Sequence, residues 1–301
     1  MSVPPESAVD DLSPPAEFVT KFKMRLGRLH MLPEAANRAL MVARDPRCTI
    51  ESFTKVVGQD VKMAGDILKI ANSILYSPRS PITNLHRAVV RLGFQECQNL
   101  IITSSIASMV YKVSMEQEWI RTVLWWHSLT TGLLATYMNR SFRIGFHGEE
   151  FTAGIMHDIG RTLIAVTSPE QFSSVDPLDF NETSSILEHE SAILGTDHCR
   201  IGAWFARMNQ LPSPLPEVIL RHHQPEIPGD CGKMIALIAV ADHMANHLQR
   251  CGSDEGYVPQ LNPALPILKA HMPETFEPHF CEIANSLMQE VGRDAKSMID
   301  L

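Results

Sequence analysis

A chain of 301 residues that is 45% hydrophobic and 20% charged can bury one large core or two smaller ones, and its composition is that of an ordinary globular protein. A formal charge of −8 sets general nucleic-acid binding against repulsion from the phosphates, and the longest apolar run, 234–241, is too short to cross a bilayer. Six cysteines, Cys48, Cys97, Cys199, Cys231, Cys251 and Cys281, form no C-x-x-C pair, which points to reduced, buried thiols in a cytoplasmic protein.

The first 20 residues hold Pro4, Pro5, Pro14 and Pro15 with four acids and no Lys or Arg. They lack the basic start and apolar stretch of a secretory signal, and 1–20 is expected to be a disordered tail. Helical periodicity begins after Leu32-Pro33, with Ala36, Leu40 and Ala43 on one face, and Asp45-Pro46 stops it. Thr49 suits the N-cap of a short helix ending near Gly58. Met63, Ile67, Ile70 and Ile74 form the stripe of the next helix, and 77–81 is a loop bracketed by prolines. Asn84 caps a helix that Gly93 ends, and 97–111 reads as a buried helix. Asn72 and Ser73 suit interhelical hydrogen bonds, while Lys62, Lys69, Arg79, Arg87 and Arg91 suit solvated faces.

A second long helix over 116–140 carries Trp119, Trp125, Trp126 and His127. Helix is expected through 148–166, with Glu149 and Glu150 favouring its start, and 167–180 reads as a loop. Further helices are expected over 182–194, 197–208, 215–223 and 233–248, followed by a loop over 252–266. A last helical stretch spans 276–298. With neither strand alternation nor an internal repeat, the fold class is all-α.

The chemistry concentrates in the second half. His157 and Asp158 are adjacent in MHDIGR, and imidazole and carboxylate together suit Zn, Mn or Fe. Taken alone, such a pair is also what a hydrogen-bonded core provides. His127 stands 30 residues earlier, His198 follows Asp197 at a helix start, and His222 and His223 are adjacent near a helix end. Asp242 ends the apolar run IALIAVA, where an unpartnered carboxylate is costly. Each has a plainer reading: His127 as a hydrogen-bonded core residue, His198 as a cap, His222-His223 facing a helix dipole, and Asp242 paired with an Arg or a backbone donor. His243 and His247, four apart, have the spacing of a zinc pair but no evident third ligand, and Glu188-His189-Glu190 reads as a solvated face. The common glycine-rich nucleotide motifs and G-x-S-x-G are absent.

In this order the segments resemble the HDOD group of bacterial signalling proteins, distant relatives of the HD and HD-GYP phosphohydrolases. The resemblance is carried by Leu32-Pro33, DVKMAGDILKIANSILYS and AVVRLG in the first half. In the second half it is carried by LWWHSL, FTAGIMHDIGR, LGTDHCRIGAW, LPEVILRHH and the helix of Asp242, so that it covers 22–248. It implies an N-terminal helical bundle over 21–115 packed on an HD-like helical core over 116–250, with 251–301 as a helical extension.

The same resemblance implies that His127, His157, Asp158 and Asp242 hold one metal and His198, His222 and His223 a second, with Asp158 bridging. The cofactors would be one or two divalent transition metals, Fe, Mn or Zn. Were the protein an enzyme, Asp158 would be catalytic and Arg161, standing where the enzymes carry Lys, would steady phosphate charge. The chain departs from the enzymes in lacking the GYP segment and in offering Val123 where some have a carboxylate. The resemblance therefore implies a regulatory signal-transduction module, working through an unidentified signalling protein in trans or a nucleotide or cyclic-dinucleotide ligand. The alternative is a metal-dependent phosphohydrolase or phosphodiesterase acting on such nucleotides.

Overall fold

The computed structural model describes residues 12–26, 34–45, 47–72, 80–181, 185–226 and 231–299. Among them there is no strand, as an all-α chain requires. The first helix, α1 (Ala16–Leu26), overturns part of the tail expected over 1–20. Phe18 and Phe22 lie one turn apart, and Phe22 meets the rings of Trp204 and Phe205 edge-on at 5.2 and 6.0 Å. Leu12 is buried as well, so the packed chain begins before α1.

Next come α2 (Glu34–Arg44), α3 (Ile50–Val57), α4 (Val61–Ala71) and α5 (Leu85–Lys112). Thr49 caps α3 in a reciprocal box with Ser52. Met63, Ile67 and Ala71, at four-residue steps, bury one face of α4, while Ile74 lies outside the described residues. Asn72 pairs both ways with the backbone of Ile82, at 2.7 and 2.8 Å, and closes the loop between α4 and α5. Gly93 kinks α5 at a φ of 83° rather than ending it, so the two helices expected on either side form one bent rod.

The second half is built on α6 (Glu118–Phe142), whose middle is buried on every side. It packs against α7 (Glu149–Met156), α13 (Gly232–Cys251) and α15 (Phe276–Ile299). Between them run α8 (Ile159–Thr167), α9 (Pro169–Val175), α10 (Ile186–Leu194), α11 (His198–Met208) and α12 (Leu215–Arg221), with α14 (Leu265–Lys269) after the short 3-10 turn at Pro259–Leu261. Three expectations are corrected here. The helix expected over 148–166 breaks at His157-Asp158. The stretch 167–180 contains α9, for which Pro169 at the first turn supplies a ready start, and the 252–266 loop contains the 3-10 turn.

The N-terminal half joins this core through Thr103 and Thr152, 3.1 Å apart, and through Asn99 donating to His147 O. The extension is integral to the fold: Phe276 and Phe280 pack on Phe142, and the Tyr137 hydroxyl donates to Asp294. No helix among the described residues is long and apolar enough to cross a membrane.

Candidate metal centre

Two close backbone approaches place the central residues. A Cβ at Gly154 would lie 2.5 Å from Gly132 Cα, so α6 and α7 touch backbone to backbone. A Cβ at Gly160 would lie 1.9 Å from His198 O, so the start of α8 sits directly on the start of α11. Asp158, two residues before Gly160, is thereby held beside His198. The break between α7 and α8 turns both His157 and Asp158 inward, where each is almost fully buried.

All seven residues singled out in the sequence converge. Nε2 of His127 stands 3.3 Å from Nε2 of His157, 3.5 Å from Asp158 Oδ2 and 3.0 Å from Asp242 Oδ1. His157 Nε2 is 3.5 Å from each of the same two carboxylate oxygens. On the other side, Asp158 Oδ1 is 3.4 Å from Nε2 of both His198 and His222, and His223 Nε2 is 3.1 Å from His198 Nε2. Asp158 thus faces one group through each of its oxygens.

Tautomers follow from the outer hydrogen bonds. His157 Nδ1 donates to Gly154 O at 2.7 Å and His222 Nδ1 to Ile219 O at 2.9 Å. His198 Nδ1 faces the Glu190 carboxylate at 2.8 Å, and Glu190 also accepts from the His198 backbone N–H at 2.8 Å. With Nδ1 carrying the proton, each Nε2 turns a lone pair toward the carboxylate oxygens. Lone pairs facing lone pairs at this range repel unless a cation or a proton lies between them. Asp158 Oδ1 is moreover buried without a hydrogen-bond partner.

The spacing fits a metal. Bonds of about 2.0–2.1 Å from a tetrahedral ion to nitrogen or oxygen give ligand-to-ligand edges of about 3.3–3.4 Å. The five edges quoted around His127 and His157 run from 3.0 to 3.5 Å. The electrostatics agree. Burial would raise both central carboxyls, but His157 and Arg161 around Asp158, and His127 and His157 around Asp242, hold them well below the usual carboxylate range. Burial drives His127 and His223 down. At His198 and His222 burial is overridden, by Cys199 with Glu190 for the first and by Cys199 with Asp158 for the second, and both stand well above the usual histidine value, so that a proton takes the place of a cation at their Nε2 atoms.

Arg161, expected to steady phosphate charge in an enzyme, is engaged with two carboxylates. It is buried, its Nε and second terminal nitrogen grip Asp176 at 2.7 and 3.0 Å, and its other terminal nitrogen donates to Asp158 Oδ2 at 2.8 Å. It braces Asp158. The rival zinc pair is engaged otherwise: His247 Nε2 bonds Glu255 O at 3.0 Å and His243 faces the Tyr257 hydroxyl at 3.5 Å. Glu190 contradicts the expected solvated face, for it is almost fully buried beneath His198.

Glu190, Asp176 and Cys199 are the functional neighbours that sequence reasoning missed. Cys199 lies one residue from His198, with its Sγ 3.4 Å from His198 Nε2 and 4.0 Å from His222 Nε2. Phe180, at a φ of 53°, packs its ring 4.9 Å from that of His127 and closes the site on the side of Arg161. Beside His222, His223 and Asp242 opens a cleft of about 730 Å³ that also carries Asn246 and Arg250.

The chain is thus an all-α protein whose helical core gathers histidines and aspartates from five segments. Residues 29–225 match the family model of the HDOD domain, and the chain belongs to the HDOD family. Among solved structures it is similar to an HDOD domain protein of unknown function from Geobacter sulfurreducens, with a TM-score of 0.70 and 23% identity, covering 88% of this chain and 91% of that one. It is also similar to a protein of Shewanella amazonensis SB2B provisionally named a phosphohydrolase, with a TM-score of 0.68 and 20% identity over 94% and 99% of the two chains. A second protein of that organism, provisionally named a metal-dependent phosphohydrolase, gives a TM-score of 0.61 at 19% identity over 97% of each. At these identities the likeness establishes the fold. An uncharacterised protein of Treponema pallidum (strain Nichols) is 22% identical over 220 residues, which are 71% of this chain; the chain spans 42% of that relative's length.

Proposed function

We propose that this protein is a regulatory signal-transduction module that uses a centre of one or two divalent metals to bind a phosphate-bearing ligand, a nucleotide or cyclic dinucleotide, and relays occupancy to a protein partner in trans. The observation that carries the reading is the ring of inward histidine nitrogens and carboxylate oxygens around Asp158, with an orphaned carboxylate oxygen at its middle. His127, His157, Asp158 and Asp242 would hold one ion, and His198, His222 and His223 the other, with Asp158 shared. The cleft beside them offers Arg250 and Asn246 for the rest of an anionic ligand. The negative chain and the absence of an apolar span from the described helices are consistent with a cytoplasmic setting.

The test is thermal unfolding with and without a cyclic dinucleotide, in the presence of Mn or Fe(II) and again after chelation. A ligand-dependent rise in Tm that vanishes on chelation is expected, because a ligand at 100 times its Kd adds about 2.7 kcal/mol to the folded state. A rise unaffected by chelation would place the ligand elsewhere.

A second reading, hydrolysis at the same centre, is favoured by one observation: all seven His and Asp donors of a two-metal set are present and converge. Metals in such a pair supply a water acidic enough to ionise near neutral pH. On this reading Asp158 fixes their separation and Arg161 fixes Asp158. Purified protein loaded with Mn or Fe(II) would then turn over phosphodiesters or cyclic dinucleotides, and a protein that binds these without turnover leaves the regulatory reading alone.

A further inference from the structure

The four donors on the His198 side of the centre are not all accounted for by histidine. Cys199 follows His198 in the first turn of α11 and is fully buried, yet its thiol does not point into hydrocarbon. Its Sγ faces His198 Nε2 at 3.4 Å and lies over the His222 ring, 3.9 Å from Nδ1 and 4.0 Å from Nε2, and with His223 these residues form a group whose ligand atoms all lie within 4.8 Å of one another. A tetrahedral ion with bonds of about 2.0–2.1 Å to nitrogen and 2.3 Å to sulfur spaces nitrogen from sulfur by about 3.6 Å. The sulfur distances bracket that value. An independent observation points to an ion in the same place: Asp158 Oδ1, almost fully buried and without a hydrogen-bond partner, lies 3.4 Å from Nε2 of both His198 and His222.

We infer that Cys199 is a thiolate ligand of the second metal, completing a three-histidine, one-sulfur site with His198, His222 and His223. This inference rests on the metal-centre reading of the preceding section and deepens it. On binding, the thiol proton leaves to solvent and a sulfur–metal bond forms, with no change of oxidation state. Two consequences follow from ligand chemistry. The first subsite, two nitrogens and two oxygens, tolerates Mn, Fe or Zn, whereas a thiolate selects the softer Zn, Fe(II) or Co(II) and disfavours Mn and Mg. Those four donors, with the shared Asp158 Oδ1 beside them, also leave the second ion without an open position, which is the mark of a structural rather than a catalytic site. A centre with one closed ion suits stable ligand binding better than two-metal hydrolysis.

Cobalt reports this directly, because thiolate-bound Co(II) shows a near-ultraviolet sulfur-to-metal charge-transfer band that nitrogen and oxygen ligands do not produce. The full chain is reconstituted with Co(II) and compared with Cys199→Ser and with His127→Ala, each checked for fold by circular dichroism. The band is expected in the wild type and in His127→Ala, and absent from Cys199→Ser while that variant keeps its visible ligand-field absorption. Cobalt bound without the band in the wild type would overturn the assignment of Cys199 and leave the metal centre standing. A band that persists in Cys199→Ser would likewise overturn it. A folded wild type that binds no cobalt at all would overturn both.

Discussion

Glu190 lies on α10 between His189 and Ser191, both exposed, yet it is buried with its carboxylate wrapped around both nitrogens that His198 presents to it. A carboxylate behind a metal-binding histidine fixes the tautomer and the ring's direction, and losing it typically costs about 10–100-fold in metal affinity. Glu190→Ala should show a loss of that size in a competitive zinc titration against a chelating dye, with helix content unchanged. Unaltered affinity would mean that His198 is oriented by its packing alone. Arg161 is the matching support for Asp158. Arg161→Ala would strand Asp158 and Asp176 in the interior, and removing one partner of such a buried network costs about 3–5 kcal/mol. Urea unfolding is the measurement, and a loss under about 1 kcal/mol, the range of an exposed ion pair, would contradict the bracing role.

Away from the centre, Glu96 has its carboxyl pushed up to about 8 by burial, with Glu150 and Glu149 adding to the rise and Arg140 opposing it. The folded protein therefore holds a proton there that the unfolded chain releases near the ordinary value of 4.5. Between those two values the folded state binds more protons, so stability falls as pH rises and the loss is complete only above about pH 8. Glu96→Gln should flatten that decline, leaving Tm unchanged near pH 4.5 and raising it at pH 9 by about 2–4 °C for each kcal/mol recovered. A variant with the wild-type slope would place the pH dependence in other groups.

The elements tell the same story through two glycines. Gly160 seats α8 on α11, and a methyl group there meets backbone that has nowhere to go. Gly65, exposed on α4, has nothing within 4 Å of its would-be Cβ. Gly160→Ala should therefore cost about 1–3 kcal/mol or more, as overpacking does, and weaken metal binding by parting Asp158 from His198. Gly65→Ala should gain about 0.5–1 kcal/mol from better helix propensity. Thermal unfolding of the pair decides it, and equal effects would remove the close approach from the account.

At this scale the sequence was most legible where a cap or a stripe acts locally. The Thr49 cap, the Asn84 cap and the stripe of Met63 and Ile67 are local patterns, and each forms as expected. The break at His157-Asp158 was not legible, because no Pro marks it and Gly154 lies within α7 rather than at its end; the close approach at Gly160 sits beside the turn. The helix at Pro169 carried its own signal in Ser168-Pro169, outweighed by the polar composition around it.

Across the whole molecule, the seven inward donors could be read because His and Asp are conspicuous on apolar helices and their order along the chain resembles a known family. Glu190, Asp176 and Cys199 could not, for each reaches the centre from an element whose orientation only the packed core sets. Burial of Glu190 depends on which of three consecutive polar residues turns inward, and periodicity in a short helix does not decide that. The extension shows the same limit. Nothing in 251–301 advertises chemistry, and it lies beyond the family match, yet Phe280 is fully buried in the contact of α15 with α6, the helix that carries His127. Phe280→Ala should cost about 3–5 kcal/mol in urea unfolding, as large-to-small changes in a core do. A cost below about 1 kcal/mol would make the extension an appendage.

The central claim is that one carboxylate, Asp158, joins two sets of donors into a metal centre. Elemental analysis of protein purified anaerobically, wild type beside Asp158→Ala, tests it most directly. The account predicts one to two equivalents of Fe, Mn or Zn per wild-type chain and a loss of most of that metal from a folded Asp158→Ala. Wild-type protein carrying only traces of transition metal, or a variant that retains the full complement, would contradict it.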